Sequence, residues 1–137
     1  MFIVSVILYC LVGVVSFVMA YKALTTKKFL PFHEHASGVS WETLDVRMQH
    51  VILALTRISG LGFCTLGILL ITFPIAMVHS HDAVQRYLIP GVSCFFCLGL
   101  FIVNRSLHLK TGADTPWKGA LLAAGIILAG IVVTLVS

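Results

Sequence analysis

Four apolar runs, each about as long as a bilayer is thick, take up most of this chain of 137 residues. The runs cover residues 2–24, 51–73, 87–104 and 117–136. A hydrocarbon core of about 30 Å needs about 20 helical residues to cross it. Because lipid offers no water to backbone polar groups, each run should be a helix that satisfies its own N–H and C=O groups. The pattern predicts an all-α integral membrane protein, a four-helix bundle.

The composition predicts a single transmembrane domain over residues 1–137. The chain is 59% hydrophobic and 10% charged, with a mean hydropathy of +1.06, and a soluble domain of this size could not hide so much apolar surface. The first run is too long for a signal-peptide core and is expected to be retained. The net charge is +4 and no run of Lys and Arg exceeds two residues, so we expect no nucleic-acid partner.

The basic residues favour one orientation in the membrane. The first loop carries Lys22, Lys27, Lys28 and Arg47, and the third carries Arg105, Lys110 and Lys118. The second loop has only Arg86. The positive-inside rule places the two basic loops in the cytoplasm and both termini outside.

Two helix starts are marked by the sequence. Ser40 is a suitable N-cap, and an apolar stripe at helical spacing follows it, beginning at Trp41. We therefore predict a short amphipathic helix over residues 41–50 that lies in the membrane interface and runs into the second span. Thr115 and Pro116 predict a cap and first turn for the last helix.

Arg57 is the main candidate binding residue. It lies six residues into an apolar run, about 9 Å below its start. An arginine at membrane depth is costly and by default a candidate for function, although its side chain can also snorkel to the headgroups. Four acidic residues on the same predicted side could pair with it: Glu34, Glu42, Asp45 and Asp114. The four spans contain no Asp or Glu, which argues against a proton-coupled carrier.

Histidines in the first loop suggest a metal site. His33, Glu34 and His35 form an H-E-H tripeptide, and His50 lies on the same predicted side. Imidazole suits Zn, Cu, Fe or Ni, and alternate residues of an extended backbone can converge on one ion. His33 and His35 are the candidate ligands, with solvated interfacial histidines as the alternative. A second motif, H-x-H-D at residues 79–82, is explained by a polar turn.

Cys94 and Cys97 form a C-x-x-C in the third span. Membrane disulfide-forming quinone oxidoreductases also have four-helix cores and such a motif, but they relay electrons through a second cysteine pair. All four cysteines of this chain lie in apolar runs, where thiols are unreactive. We expect them to be small packing residues.

Three stretches carry a family resemblance: P-F-H-E-H-A-S-G-V-S-W-E-T-L at residues 31–44, L-A-L-T-R-I-S-G-L-G at 53–62 and K-T-G-A-D-T-P-W-K at 110–118. Together they resemble small bacterial four-helix membrane proteins that carry no assigned function. The resemblance covers most of the chain. It implies the fold and a bacterial inner membrane, and it implies no activity.

The length and helix number also resemble the membrane-associated eicosanoid and glutathione enzymes. Those proteins form trimers and bind glutathione with Arg, Asn, Glu and Tyr residues near their second helix. This chain offers Arg57 in its second span and lacks a Glu and Asn cluster there.

We expect the protein to act by contacting lipid or another protein. We expect an accessory or assembly component of a membrane complex, or a lipid-interacting protein, whose partners are the bilayer and another membrane protein or a second copy. The chain shows no nucleotide loop and no recognised nucleophile–base arrangement, so an enzyme is not favoured. The alternative is a membrane-embedded enzyme or binding protein for glutathione, a lipid or a metal. Its cytoplasmic-side polar site would comprise Arg57, His33, Glu34, His35, His50 and Trp41.

Overall fold

The structure, a computed structural model, describes the backbone of residues 2–77 and 83–136 and the side chains of residues 3–74 and 86–136. The described chain is helical and contains no strand. Its helices are α1 (Phe2–Thr25), α2 (Pro31–Ser37), α3 (Val46–Met77), α4 (Ala83–Thr111) and α5 (Trp117–Leu135). All except α2 are long and apolar enough to cross a membrane, which confirms the number and type of the predicted long helices.

Helices α3 and α4 are longer than the predicted spans. They contain 32 and 29 residues, or about 48 and 44 Å at 1.5 Å per residue, which exceeds a hydrocarbon core of about 30 Å. Pro74 lies inside α3 and does not end it. Arg105, His108 and Lys110 lie on the last turns of α4, although the sequence pattern placed Arg105 and Lys110 in a loop.

The helix predicted over residues 41–50 is not continuous, because only its second half is α-helical and belongs to α3. A 3₁₀ turn covers only Trp41–Thr43, Leu44 is extended with φ −76° and ψ 140°, and α3 then begins at Val46. The side-chain amide of Gln49 donates to the backbone carbonyls of Trp41 and Leu44, at 3.0 and 3.2 Å. A continuous helix would satisfy those carbonyls with backbone N–H groups, so the Gln49 side chain supports the break instead.

Helices α1 and α3 pack closely through glycines. A Cβ atom added at Gly13 would lie 2.7 Å from Ile71 Cγ1, and one added at Gly67 would lie 3.1 Å from the backbone oxygen of Gly13. Gly60 is equally close to α1, because its added Cβ would meet Leu24 Cγ at 2.9 Å. Gly60 and Gly67 therefore mark a close-approach face of α3. Small residues let helix backbones approach where lipid provides no hydrophobic driving force.

Tyr9 joins α1 to α3 and α5 in the core. Its ring meets Phe73 edge-on, with 6.3 Å between ring centroids, and it packs directly over Gly130 of α5. The buried core cluster comprises Tyr9, Val12, Leu66, Leu70, Phe73, Cys94, Cys97, Ala124 and Ile127. Both cysteines of the C-x-x-C are therefore packing residues in the helix core.

Candidate functional site

Arg57 faces outward from the molecule. It lies 11 positions after the start of α3, about 16 Å along the helix axis, and its side chain is exposed. Within the described residues it makes no ion pair and no hydrogen bond, so the predicted pairing with a nearby carboxylate is not formed there. The side chain therefore contributes to the outer surface of α3, not to an interior polar site.

The H-E-H tripeptide is helical, contrary to the extended backbone that the metal hypothesis required. It lies in α2, where residues two positions apart point in different directions. His33 and His35 therefore cannot converge on one ion through this backbone. In the part of the chain that the structure describes, no group of three or more His, Cys, Asp or Glu residues could hold a metal ion. The second motif, at residues 79–82, lies outside the described residues.

His33 and Trp41 are the two predicted site residues that come together, through Phe29. The Phe29 ring lies edge-on to Trp41 at 5.2 Å and to His33 at 6.2 Å between centroids. Phe32 stacks at an angle on His33 at 4.1 Å. Glu34, His35 and His50 are exposed and take no part in these ring contacts.

Burial among these aromatic rings lowers the pKa of His33 from its ordinary value of 6.5. The folded loop therefore disfavours the protonated imidazole, and the unfolded segment binds more protons near and below pH 6.5. Stability rises with pH wherever the unfolded state binds more protons. The packing of α2 is thus complete at neutral pH and weakens as the pH falls through about 6.5.

We expect hydrogen exchange to report this weakening. Protection of backbone amides in residues 31–43, corrected for the intrinsic exchange rate, should fall between pH 7.5 and pH 5.5. His33→Gln should remove most of this pH dependence, whereas His35→Gln should keep it because His35 is exposed. Equal pH dependence in wild type and His33→Gln would assign the effect to another group.

The structure assembles a second cluster, around Trp117, which the sequence pattern did not assign. The Arg105 guanidinium carbon lies 4.4 Å from the Trp117 ring centroid, and Lys118 Nζ lies 5.6 Å from it. The rings of Phe101 and His108 each lie 6.1 Å away. Cations over an indole face are attracted by the ring quadrupole, so this cluster concentrates positive charge at the start of α5.

Hydrogen bonds stabilise the connection between α4 and α5. This connection positions the residues of the Trp117 cluster. Thr115 Oγ1 donates to the backbone carbonyl of Asn104 at 2.7 Å, instead of capping α5 as the sequence pattern predicted. His108 Nδ1 hydrogen-bonds to the carbonyl of Ala113 at 2.6 Å, which assigns the proton to Nδ1 because a carbonyl only accepts. The extension of α4 to Thr111 is what brings Arg105 next to Trp117.

An apolar groove of about 500 Å³ runs from this cluster along the outer face of α5. Its lining residues are Leu8, Trp117, Lys118, Leu121, Leu122, Gly125, Ile126 and Ala129. The small pair Gly125 and Ala129 is exposed here and forms part of the groove. From Lys118 to Ala129 the groove covers about 16 Å of helix, which is about half the thickness of a hydrocarbon core.

No known protein family matches this chain, and no curated protein or solved structure is significantly similar to it. The resemblance to small bacterial four-helix membrane proteins therefore stays a prediction.

Proposed function

We propose that this chain is a small multi-pass protein of the bacterial inner membrane that binds an anionic phospholipid of the cytoplasmic leaflet. Its four long helices span the membrane as a bundle, with the basic helix ends inside and the termini outside. The protein acts by contact, as an accessory component of a membrane complex. The observation that carries the proposal is the α5 groove with Arg105 and Lys118 at one end.

The deep part of the groove suits the acyl chain of a phospholipid, and its mouth suits the headgroup. Its deep part is lined by apolar and small residues, which suits an acyl chain, and its length matches the depth of one leaflet. Its mouth has Trp117, a residue type that concentrates at the headgroup level. Basic pockets on the cytoplasmic side of transmembrane helices attract anionic headgroups. The two cations at this mouth therefore favour an anionic over a zwitterionic phospholipid.

Native mass spectrometry of delipidated protein tests this proposal. In mild detergent with equal amounts of phosphatidylglycerol and phosphatidylcholine, we expect the wild type to retain phosphatidylglycerol preferentially. Lys118→Gln should reduce that preference about fivefold, because one cation near a headgroup contributes about 1 kcal/mol. Gly125→Leu should abolish retention by filling the groove, and it should fold because no atom lies within 4 Å of a Cβ added there.

Gly119→Leu is the matched control for the filled groove. Gly119 lies on the same helix and also has no atom within 4 Å of an added Cβ, but it does not line the groove. We expect this variant to retain lipid like the wild type. Equal retention of the two lipids by the wild type, or unchanged retention by Gly125→Leu, would show that the groove is not an anionic lipid site.

A further inference from the structure

In the proposed membrane arrangement, α5 sets the level of the headgroups near the Trp117 cluster. This helix contains 19 residues, or about 28 Å at 1.5 Å per residue, which is barely the thickness of a hydrocarbon core. Each end of α5 must therefore lie close to a membrane surface. Trp117, at the start of α5, then lies at the headgroup level, where tryptophan is enriched.

Contacts between α1 and α5 place Lys22 at the same level. The Tyr9 ring packs over Gly130, and the two helices run in opposite directions, as a hydrogen bond nearer their outer ends also shows. Lys22 lies 13 positions after Tyr9, and Trp117 lies 13 positions before Gly130. A basic residue and an amphipathic aromatic residue therefore share one level, as expected at a membrane surface.

Helix α3 continues well past this level. A Cβ atom added at Gly60 would lie 3.0 Å from the Cβ atom of Ala23, the residue after Lys22, and α1 and α3 are antiparallel. Val46 precedes Gly60 by 14 positions, or about 21 Å of helix. The headgroup layer adds only about 5–7 Å on each side of the hydrocarbon core. Residues 46–56 thus form an extension of α3 that projects out of the bilayer.

An apolar stripe runs along the outside of this extension. Met48, Val51 and Leu55 are 51, 53 and 59% exposed, and their spacing of three and four residues places them on one face. The inner face is covered, because Gln49 bonds to the preceding turn and Ile52 is half-buried. Acyl chains do not reach the stripe at this level. Burying it against protein would therefore be favourable.

A row of basic side chains borders the stripe. Arg47, His50 and Arg57 are exposed, and their spacing of three and seven residues places them together on the neighbouring face. Helix α3 contains no Asp or Glu. Within the described residues, neither arginine makes an ion pair or a hydrogen bond. Complementary charge across an interface selects partners, so this row favours a partner with carboxylates beside its own apolar face.

We propose that this surface of α3, the stripe with its basic row, docks an acidic amphipathic α-helix of a partner protein on the cytoplasmic side. Apolar residues of the partner at the same three- and four-residue spacing pack on the stripe, and its carboxylates pair with Arg47 and Arg57. A second copy of this chain is a poorer occupant, because its α3 offers no carboxylate. The inference rests on the proposed orientation and accessory role, and it is independent of the α5 groove.

A designed peptide tests the surface on the full-length protein in phosphatidylcholine nanodiscs, with empty nanodiscs as the background. The probe is a fluorescent helical peptide with leucines at three- and four-residue spacing and glutamates on both flanks. A second peptide carries lysines in place of the glutamates. Fluorescence anisotropy should show micromolar binding of the glutamate peptide and about tenfold weaker binding of the lysine peptide. Added salt should reduce this difference, because exposed charges are screened.

Matched variants locate the bound peptide. Val51→Ser should weaken binding of the glutamate peptide about fivefold, because a contacting apolar side chain is lost. Val46→Ser is the control, since Val46 is 61% exposed on the same extension but lies off the stripe. Arg47→Gln combined with Arg57→Gln should reduce the preference for the glutamate peptide about fivefold. Lys118→Gln, which should alter lipid retention, should leave peptide binding unchanged.

Lipid contact is the competing explanation for the stripe. Phospholipids with a doxyl group on the acyl chain quench fluorophores that they touch. A dansyl amino acid at position 68 should be quenched, because Ile68 is exposed in the membrane-spanning part of α3. The same amino acid at position 51 should not be. Equal quenching at the two positions would show that the bilayer covers the stripe and would overturn the proposal.

Three further results would contradict the docking surface. They are equal affinity for the two peptides, equal losses in Val51→Ser and Val46→Ser, and a dimer of the protein that Val51→Ser dissociates, which would make a second copy the occupant. If the preference for phosphatidylglycerol persists in any of these cases, only the docking surface is removed. Lost lipid preference with intact peptide binding would remove only the α5 groove.

Discussion

Leu70→Ala is expected to lower the free energy of unfolding by about 3 kcal/mol, within the range known for buried leucines. Leu70 is 0% exposed and lies in the core cluster between α1, α3, α4 and α5. In a membrane the helices are held together largely by van der Waals packing, so the atoms removed and the cavity left behind both weaken the fold. Unfolding in mixed micelles of a mild detergent and increasing sodium dodecyl sulfate, followed by circular dichroism, measures the change.

Leu69→Ala provides the matched control one position earlier. Leu69 is 37% exposed, so its truncation removes less buried surface than that of Leu70, and we expect a loss of less than about 1 kcal/mol. A pair of variants with equal losses would mean that the inward and outward faces of α3 are assigned incorrectly. The comparison is independent of helix propensity, because both changes replace leucine by alanine.

Gly130→Ala is expected to destabilise the protein by about 1–3 kcal/mol, the usual cost of overpacking. The added Cβ would lie 2.6 Å from Tyr9 Cε1 and 3.0 Å from Cζ. The Tyr9 ring has little room to move, because it is buried and lies against Phe73. Alanine favours a helix over glycine by about 1 kcal/mol, so a net loss requires the steric contact. The same micelle unfolding experiment measures it.

Gly125→Ala separates the effect of the steric contact with Tyr9 from the effect of the higher helix propensity of alanine. No atom lies within 4 Å of a Cβ added at Gly125, and this residue is exposed on the same helix. We expect this variant to be as stable as the wild type or slightly more stable. Should Gly130→Ala behave in the same way, the packing of Tyr9 over α5 would be refuted.

The close contact of α1 and α3 shows what the spacing of small residues in a sequence can and cannot predict. Gly60 and Gly67 are seven residues apart and share a helix face, which is enough to predict a close-approach surface. The spacing could not show that α1 supplies the partner, because small residues serve contacts within a chain and between chains equally well. The same kind of spacing at Gly125 and Ala129 leads instead to an open groove.

The candidate site was predictable only in part. His33 and Trp41 were singled out, but their contact runs through Phe29, and no spacing rule joins these three residues. Arg57 was expected to line a site or to snorkel, and which way an arginine faces depends on where neighbouring helices pack. The Trp117 cluster was missed because Arg105 reaches it only when α4 continues beyond the apolar run.

The sequence by itself determined the four long helices, since hydropathy and length are local properties and a helix satisfies its backbone within its own segment. Tertiary structure decided the break before α3, where a side-chain amide replaces backbone hydrogen bonds. It also decided the α5 groove, because residues from separate helices line it. Those positions depend on how helix faces pack against one another, and packing is a property of the assembled chain.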